Sequence, residues 1–233
     1  MAFPKRRALS TLILLVLLTD GHAIAIKLDA STTFGHFPAL VHCAPTPSKN
    51  DSAFRASVLS ALGALPSAAA AAPTGFAATR SGSAFARGLC FGLGERHGSS
   101  SGDCHACLSA AAQDVVAGGC GASRRAGAWR AGCFLSYADT NASSAQEDAF
   151  HGWFYDSGGP TAALGSQCAG DLTAADCSRC TNESARVVPP AHLAMVHGNA
   201  VVVVGYGCYL RISIDALWPW WLRTGELLLL LLG

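Results

Sequence analysis

The sequence has few charged residues, and they form no basic stripe. Charged side chains make up 13% of the chain, against roughly 25% of an average soluble protein. The formal net charge is +1 at pH 7, and the main basic group is the small cluster Arg124, Arg125 and Arg130. Because nucleic-acid binding draws much of its affinity from neutralised phosphates, this composition argues against a nucleic-acid partner. We interpret the arginine cluster as a solvated surface face.

The chain also lacks an uninterrupted apolar run of the roughly 20 residues that span a bilayer. Near the N terminus, the shorter run Leu9–Leu18 follows basic residues at positions 5–7 and precedes the small residues Ala23 and Ala25. This layout predicts a secretory signal peptide over residues 1–25. We therefore expect the protein in an oxidising, extracellular compartment.

The second apolar segment is the C-terminal tail, residues 216–233. Arg223 and Glu226 interrupt it, so its apolar part is too short for a transmembrane helix. It also lacks the polar spacer and long apolar end of a removable lipid-anchor signal. We expect an interfacial or irregular tail and no stable membrane insertion.

Sequence motifs of common enzymes are absent. The histidines form no H-E-x-x-H motif, and the chain has no G-x-S-x-G elbow and no kinase glycine-rich loop. The eight histidines are His22, His36, His42, His97, His105, His151, His192 and His197. We expect them on the surface or in loops, with His105 on a helix surface. The sequence predicts no catalytic residue, no metal site, no cofactor and no enzymatic activity.

Cysteine, in contrast, is abundant. The ten cysteines are Cys43, Cys90, Cys104, Cys107, Cys120, Cys133, Cys168, Cys177, Cys180 and Cys208. In a chain bound for an oxidising compartment, an even number indicates five disulfides. The two C-x-x-C pairs also permit a four-cysteine zinc site or a redox pair. Structural disulfides are favoured, because each pair has partner cysteines of its own and no strand-then-helix redox frame precedes it.

The two C-x-x-C pairs mark an internal repeat. Each pair leads to one terminal cysteine, with 25 residues intervening before Cys133 and 27 before Cys208. Such similar spacing is typical of a repeat. Each pair also follows a hydroxyl residue placed three positions before an acid, a capping-box-like helix start. The two starts are Ser100–Asp103 and Thr173–Asp176.

The hydrophobic pattern predicts the elements of each unit. Apolar clusters at helical spacing favour helices over Asp51–Leu65 and Cys104–Val116, and the segments that begin at Cys133 and Cys208 are typical of strands. We predict an α+β fold, in which an antiparallel sheet is packed by two helices per unit and stapled by disulfides. One full unit is followed by one shortened unit.

The second unit carries a specific motif. Cys168–Cys180 reads C-x8-C-x2-C, and Cys208 is followed by Tyr209, Leu210 and Arg211. This pattern resembles the plant stress-antifungal domain of ginkbilobin-type proteins, over about residues 33 to 214. That domain occurs in cysteine-rich repeat secretory proteins, plasmodesmata-located proteins and the ectodomains of cysteine-rich receptor-like kinases.

The resemblance implies a disulfide pairing and a domain division. In the family the first cysteine pairs with the fifth, the second with the third and the fourth with the sixth. The implied bridges are Cys43–Cys120, Cys90–Cys104, Cys107–Cys133, Cys168–Cys177 and Cys180–Cys208. We expect a ginkbilobin-like domain over residues 33–140, a linker over 141–160 and a partial second domain over 161–215. Only 34 residues separate Cys133 from Cys168, too few for the opening strand and helix of a full second unit.

The family's sugar-binding residues are not retained. The ginkbilobin-like antifungal member holds mannose through an asparagine, an arginine and an acid at positions fixed relative to its cysteines. Those positions are Ala44, Gly127 and Ala138 here, and the latter two correspond to Val202 and Ser213 in the second unit. Without the guanidinium and carboxylate, mannose binding by that route is not expected.

These observations predict a non-catalytic secreted protein of the defence or stress-response type, located in the apoplast. Its partner would be a cell-wall glycan or the ectodomain of another protein. The alternatives are a membrane-associated partner protein, like the plasmodesmata-located or receptor-ectodomain relatives, and, less favoured, a secreted enzyme. Asn50, Asn141 and Asn182 begin glycosylation acceptor sequences. The aromatic segment Trp153–Tyr155 is either an apolar plug between the units, which we favour, or a platform for sugar rings.

Overall fold

The computed structural model describes residues 39–44, 51–93, 100–118, 120, 123–156, 165–187 and 200–213. The expected signal peptide, the tail and Asn50 lie outside these residues. The first unit comprises β1 (Leu40–Cys43), α1 (Ser52–Ala71), β2 (Phe76–Ser81), β3 (Ala84–Cys90), α2 (Ser101–Ala117), β4 (Ala126–Arg130) and β5 (Cys133–Ala138). The following elements are α3 (Ala145–Ala149), β6 (Gly152–Asp156), β7 (Gly165–Cys168), α4 (Ala174–Val187), β8 (Ala200–Val204) and β9 (Cys208–Ser213).

The predicted α+β fold is confirmed. The first sheet has the strand order β1-β4-β5-β3-β2, and the second has the order β6-β8-β9-β7. All strand pairs in both sheets are antiparallel. Each sheet thus places its terminal-cysteine strand, β5 or β9, in the interior.

The helix starts follow from local hydrogen bonding. The Asp51 carboxylate accepts the backbone N–H of Phe54 at 3.0 Å and caps α1. Ser100 and Asp103 form a complete capping box at α2, as their spacing predicts. At α4, the Thr173 hydroxyl accepts the Asp176 N–H at 3.2 Å. The Ser100 and Thr173 hydroxyls also donate to the carboxylates of Asp103 and Asp176, both at 2.6 Å, and these bonds lower the pKa of the two acids.

α1 continues beyond the predicted end at Leu65. Pro66 lies buried inside the helix, and the alanines that follow favour its continuation to Ala71. Within the described ranges, α1 is the one helix with the length and apolar composition of a membrane span. One of its faces lies in the protein core, where Phe54, Leu62 and Leu65 are almost fully buried.

The two sheets pack face to face. α1 and α2 cover one face of the first sheet, where Leu65, Leu108 and Leu135 share a core. The opposite face meets the second sheet at an interface cluster that contains Leu89, Phe91, Trp129, Phe134, Val202, Val204 and Tyr206. α4 contacts β8 and β9, and Val187 of α4 packs with Val201 and Val203 on the far face of the second sheet. The layers therefore run helices, sheet, sheet, helix.

Five disulfides staple this arrangement. The bridges are Cys43–Cys120, Cys90–Cys104, Cys107–Cys133, Cys168–Cys177 and Cys180–Cys208. They are the pairs that the family resemblance implies. Each bridge stays within one unit, and each C-x-x-C contributes its two cysteines to different bridges. The cysteines are thereby removed from redox chemistry and from thiolate coordination of zinc.

The segment expected as a linker differs from its prediction. Residues 141–160 include the short helix α3 and the strand β6, which pairs with β8 along its whole length. β6 occupies the edge next to β8, as β1 does next to β4. The second unit therefore has an opening strand. The 34 residues between Cys133 and Cys168 leave room for it, since β6 has only five residues. Among the described residues, the second unit has no counterpart of α1 or β2.

Candidate functional site

The family's mannose positions, Ala44, Gly127 and Ala138, lie just after β1, on β4 and at the end of β5. The Ala44 carbonyl accepts the Ser123 hydroxyl at 3.0 Å, and the Ala44 N–H donates to the Arg125 carbonyl at 2.9 Å. Ala138 ends β5 and pairs with Phe85. Gly127 lies on β4, where a Cβ would be 2.7 Å from Cη2 of Trp129 and 3.0 Å from the Tyr206 ring. The second sheet therefore covers the Gly127 position.

Aromatic rings fill that interface. The Tyr206 ring meets Trp129, Phe134 and Phe150 edge to face, with centroid distances of 5.0, 5.6 and 5.8 Å. Such edge-to-face contacts are a favourable geometry for aromatic pairs. The Tyr206 hydroxyl lies 2.9 Å from Nδ1 of His42, and burial raises the pKa of the Tyr206 phenol. The Trp129 indole N–H donates to the Gly205 carbonyl at 3.1 Å, so the polar atoms of this aromatic cluster have partners.

A second polar contact joins the two units at the other end of the interface. The Gln167 side chain accepts the Gly92 N–H at 3.0 Å and donates to the carbonyls of Thr74 and Cys90, both at 3.2 Å. Beside it, Arg87 and Asp171 form an ion pair at 3.0 Å. Gln167 and Asp171 belong to the second unit and their partners to the first. These contacts fix the relative position of the two sheets.

The arginine cluster is ion-paired rather than freely solvated. Arg124 pairs with Asp51 and Asp139, and Arg130 makes two bonds to Asp114 at 2.6 and 2.8 Å. Arg125 binds the carboxylate of Glu147, which is only 7% exposed. Glu147 belongs to α3, so Arg125 anchors the start of the second unit to the first. This cluster has a structural role and leaves no open cationic site for a ligand.

An apolar groove runs between α1 and α2 and is here called the α1–α2 groove. Its volume is about 470 Å³, and the residues that line it are all uncharged. Two large apolar side chains stand exposed at its walls, Leu59 at 50% and Val116 at 41%. Exposed apolar surface of this kind marks interaction sites more often than a lone exposed leucine does.

One glycine widens the groove. Gly63 is exposed in the interior of α1, and among the described residues nothing beyond its chain neighbours and the adjacent helix backbone lies within 4 Å of the position that its Cβ would take. The remainder of the exposed face of α1 is also free of charge, because Arg55 is the only charged residue of that helix. The groove is therefore shallow-walled, uncharged and accessible to a protein surface.

The remaining predicted site residues have separate locations. Asn141 is exposed in the segment between β5 and α3, whereas Ser184 of the Asn182 acceptor sequence is fully buried, 3.5 Å from the Cys208 sulfur. In the aromatic segment, Phe154 packs against the interface cluster, as expected of an apolar plug between the units. Trp153 is 37% exposed, as a platform for sugar rings would require. No group of three metal-ligating side chains occurs among the residues that the structure describes.

The comparison with sequence families gives a match over the first unit. The profile of the family described as Salt stress response/antifungal matches residues 42–140. This part of the chain is similar to a stress-antifungal domain. The match begins in β1 and ends just after β5, so the matched residues include α1, α2, strands β2 to β5 and three of the five bridges.

Solved structures extend the likeness to the whole fold. The tandem DUF26 ectodomain of the Arabidopsis thaliana cysteine-rich receptor-like protein PDLP5 matches with a TM-score of 0.55 at 17% identity, over 77% of this chain and 98% of that one. The corresponding ectodomain of PDLP8 gives 0.50 at 18% identity, over 74% and 96%. At these identities the likeness concerns the fold. A search of curated proteins found no significant match.

The α1–α2 groove lies within the matched residues 42–140 but was not predicted from the sequence. The residues that line it come from two helices separated by two strands, so their proximity depends on the tertiary fold. A signal was nevertheless present in α1. From Ala56 to Ala71 the exposed positions carry no charge, whereas the exposed face of a surface helix is normally charged or polar.

Proposed function

We propose that this chain is a non-catalytic extracellular recognition protein that binds a partner protein through the α1–α2 groove. The observation that carries the proposal is the uncharged, apolar character of that groove, with Leu59 and Val116 exposed at its walls. Interfaces concentrate their binding energy in a few residues that sit in well-packed, desolvated pockets. A groove with small residues at its base suits an apolar side chain or a helix of the partner.

The loss of the family's sugar residues supports a protein partner rather than a mannose-type glycan. Gly127 offers no guanidinium, and its face of β4 is covered by Trp129 and Tyr206. Neither Ala44 nor Ala138 has a polar side chain. A glycan would therefore need a different site, for which the exposed Trp153 on the edge strand β6 is the candidate.

The cysteine framework and the relatives support an extracellular location. All ten cysteines form disulfides, which persist in oxidising compartments. The similar solved structures are ectodomains of receptor-like proteins. We propose the apoplast as the location, with the cell surface as the alternative. Recovery in apoplastic wash fluid, rather than salt-resistant membrane retention, distinguishes the two.

The absence of catalysis is also part of the proposal. Of the described histidines, His105 lies on α2, His42 has its Nδ1 2.9 Å from the Tyr206 hydroxyl, and His151 has its Nδ1 3.2 Å from the Ala149 carbonyl oxygen. His42 packs in the interface cluster beside Phe150, at 4.5 Å between ring centroids. Catalysis by the usual nucleophile and base pair requires side chains within hydrogen-bond reach.

Affinity capture with a groove variant tests the proposed function. Secreted, tagged protein is incubated with apoplastic extract, and captured proteins are identified by mass spectrometry and then purified for calorimetric titration. We expect specific capture by the wild type, and at least a tenfold weaker Kd for Leu59→Arg, because the charge would be desolvated in an apolar interface. Ala185→Arg, an equivalent change at an exposed position of α4, serves as the control.

Two results would contradict the proposal. One is equal binding of the purified partner by the wild type and by folded Leu59→Arg. The other is glycan-array binding that Trp153→Ala abolishes and Leu59→Arg leaves intact, which would make the edge of the second sheet the recognition site.

A further inference from the structure

We infer that the occupant of the α1–α2 groove is the same groove of a second copy of this chain, in a two-fold symmetric dimer. The inference rests on the proposed function, since it names the partner of the groove already described. A two-fold dimer brings one surface against itself, so that surface must be self-complementary. Three features of the groove meet this requirement: its charge, its glycine and the placement of its exposed leucine.

The first feature is the absence of charge. The residues lining the groove are uncharged, and beyond Arg55 the exposed face of α1 consists of alanine, serine, glycine and Leu59. A partner with ordinary surface charge would lose the hydration of its charged side chains without gaining an opposite charge here. The same face of a second copy brings no charge beyond Arg55 at one end, and in an antiparallel pair the two Arg55 side chains lie at opposite ends of the contact.

The second feature is Gly63. A glycine inside a helix costs about 1 kcal/mol relative to alanine, and a close contact that only glycine permits would offset this cost. The described residues make no such contact from outside the helix, because the space around the missing Cβ is open to them. Close approach of the backbone of another helix supplies one, since small residues at a helix crossing let two backbones come near each other.

The third feature is the position of Leu59 relative to Gly63 and Pro66. With the two-fold axis near Gly63, two antiparallel α1 helices place position 59 of one copy opposite positions 66 and 67 of the other. Leu59 of each copy then fills the part of the neighbouring groove that Pro66 lines. Gln113 and Val116 of α2 form the outer wall against which it packs. Both copies bury their exposed Leu59 by one and the same contact.

Sedimentation equilibrium of the secreted full chain tests the inference. The test variant is Gly63→Arg. The matched control is Ala185→Arg, which places the same side chain at an exposed alanine of α4. We expect the wild type and the control to have twice the monomer mass at about 10 µM, a concentration that corresponds to modest affinity. Gly63→Arg is expected to be monomeric, with an unchanged circular-dichroism spectrum and a monomer Tm no lower than that of the wild type, because arginine is a better helix former than glycine and the described residues leave room for its Cβ.

A third variant addresses close backbone approach. Gly63→Ala adds a single methyl group, which raises the stability of the isolated helix but separates the two backbones. We expect its dimer Kd to rise at least tenfold while the Tm of the monomer increases. A dimer that Gly63→Ala leaves unchanged or tightens would contradict packing at Gly63.

The remaining outcomes separate this inference from the proposed function. A wild type that stays monomeric up to about 100 µM, or a Gly63→Arg variant that still dimerises, would overturn the two-fold dimer. If the monomeric wild type captures a different protein and Leu59→Arg does not, the proposed function stands and only the identity of its partner changes. Flotation with phosphatidylcholine vesicles that requires Leu59 would overturn both.

Discussion

At the scale of single residues, two glycines of the first unit have opposite surroundings. Gly127 lies in β4 against the rings of Trp129 and Tyr206, so no side chain fits between the sheets. Gly63 lies on the exposed face of α1, where an added Cβ meets nothing within 4 Å among the described residues outside its own helix and chain neighbours. Gly127 therefore serves the packing of this chain, whereas the proposed dimer gives Gly63 a packing role between two copies. The sequence showed that the family's arginine is missing at position 127, but it did not show that the second sheet occupies the space.

Alanine substitution separates these two roles. Gly127→Ala places a methyl group 2.7 Å from Cη2 of Trp129, and the stacked, buried indole has no room to move away. We expect a loss of about 1–3 kcal/mol in the free energy of unfolding, typical of overpacking, measured by denaturant titration. Gly63→Ala, as the matched control, is expected to gain up to about 1 kcal/mol. Equal effects of the two substitutions would contradict these environments.

At the scale of elements, the sequence predicts helix starts that depend on neighbouring residues, but it does not predict the pairing of strands that lie far apart along the chain. The capping box at Ser100–Asp103 predicts the start of α2 because donor and acceptor lie three residues apart. β6 was missed because its partner β8 lies more than forty residues away along the chain. The valine run of β8 predicts a strand but does not specify which other strand pairs with it. Turn-like polar residues around Asn141 suggested a linker, yet Ser144 and Glu147 form a capping box that starts α3.

Arg125 and Glu147 join β4 to α3, and removal of one partner tests this connection. Arg125→Ala leaves the Glu147 carboxylate buried without its cation. We expect a loss of about 3 kcal/mol in the free energy of unfolding, at the low end for a broken buried pair. Faster amide exchange in α3 and β6 should accompany the loss, because their anchor to the first unit is gone.

Arg179→Ala provides the comparison for that measurement. Arg179 pairs with Asp176 on the surface of α4 at 2.8 Å, with 66% of its side chain exposed. Its loss is expected to change the free energy of unfolding by less than about 0.5 kcal/mol. If Arg125→Ala cost no more than this, the α3 anchor would have no energetic role.

At the scale of the whole molecule, the two sheets share one interface and should unfold together. The periodicity of the strands predicts which residues are buried, but it does not tell whether a helix or a second sheet covers each face. Leu89, Trp129 and Phe134 were therefore not assigned to an inter-unit contact. The α1–α2 groove escaped prediction for the same reason, since it depends on how two helices lie on the sheet.

Tyr206→Ala tests the coupling of the sheets. The substitution removes the ring that contacts Trp129, Phe134 and Phe150, and aromatic truncation in a core costs about 3–5 kcal/mol. Calorimetry is expected to show one transition, shifted to lower temperature, with equal calorimetric and van't Hoff enthalpies. Tyr206→Phe, which keeps the ring, should recover most of the stability. Two separate transitions in the wild type would contradict a shared interface.

The confinement of every bridge to one unit has a consequence for biosynthesis. The last cysteine of the first unit is Cys133, so all three of its bridges can close before the second unit has been translated. The apolar face of the first sheet nevertheless stays uncovered until Val202 and Tyr206 are synthesised. At about 5–20 residues per second, that delay lasts roughly 4 to 15 seconds. On the extracellular route proposed above, the nascent chain is during this interval an oxidised half-molecule that displays an aromatic surface, and we expect chaperones to bind it there.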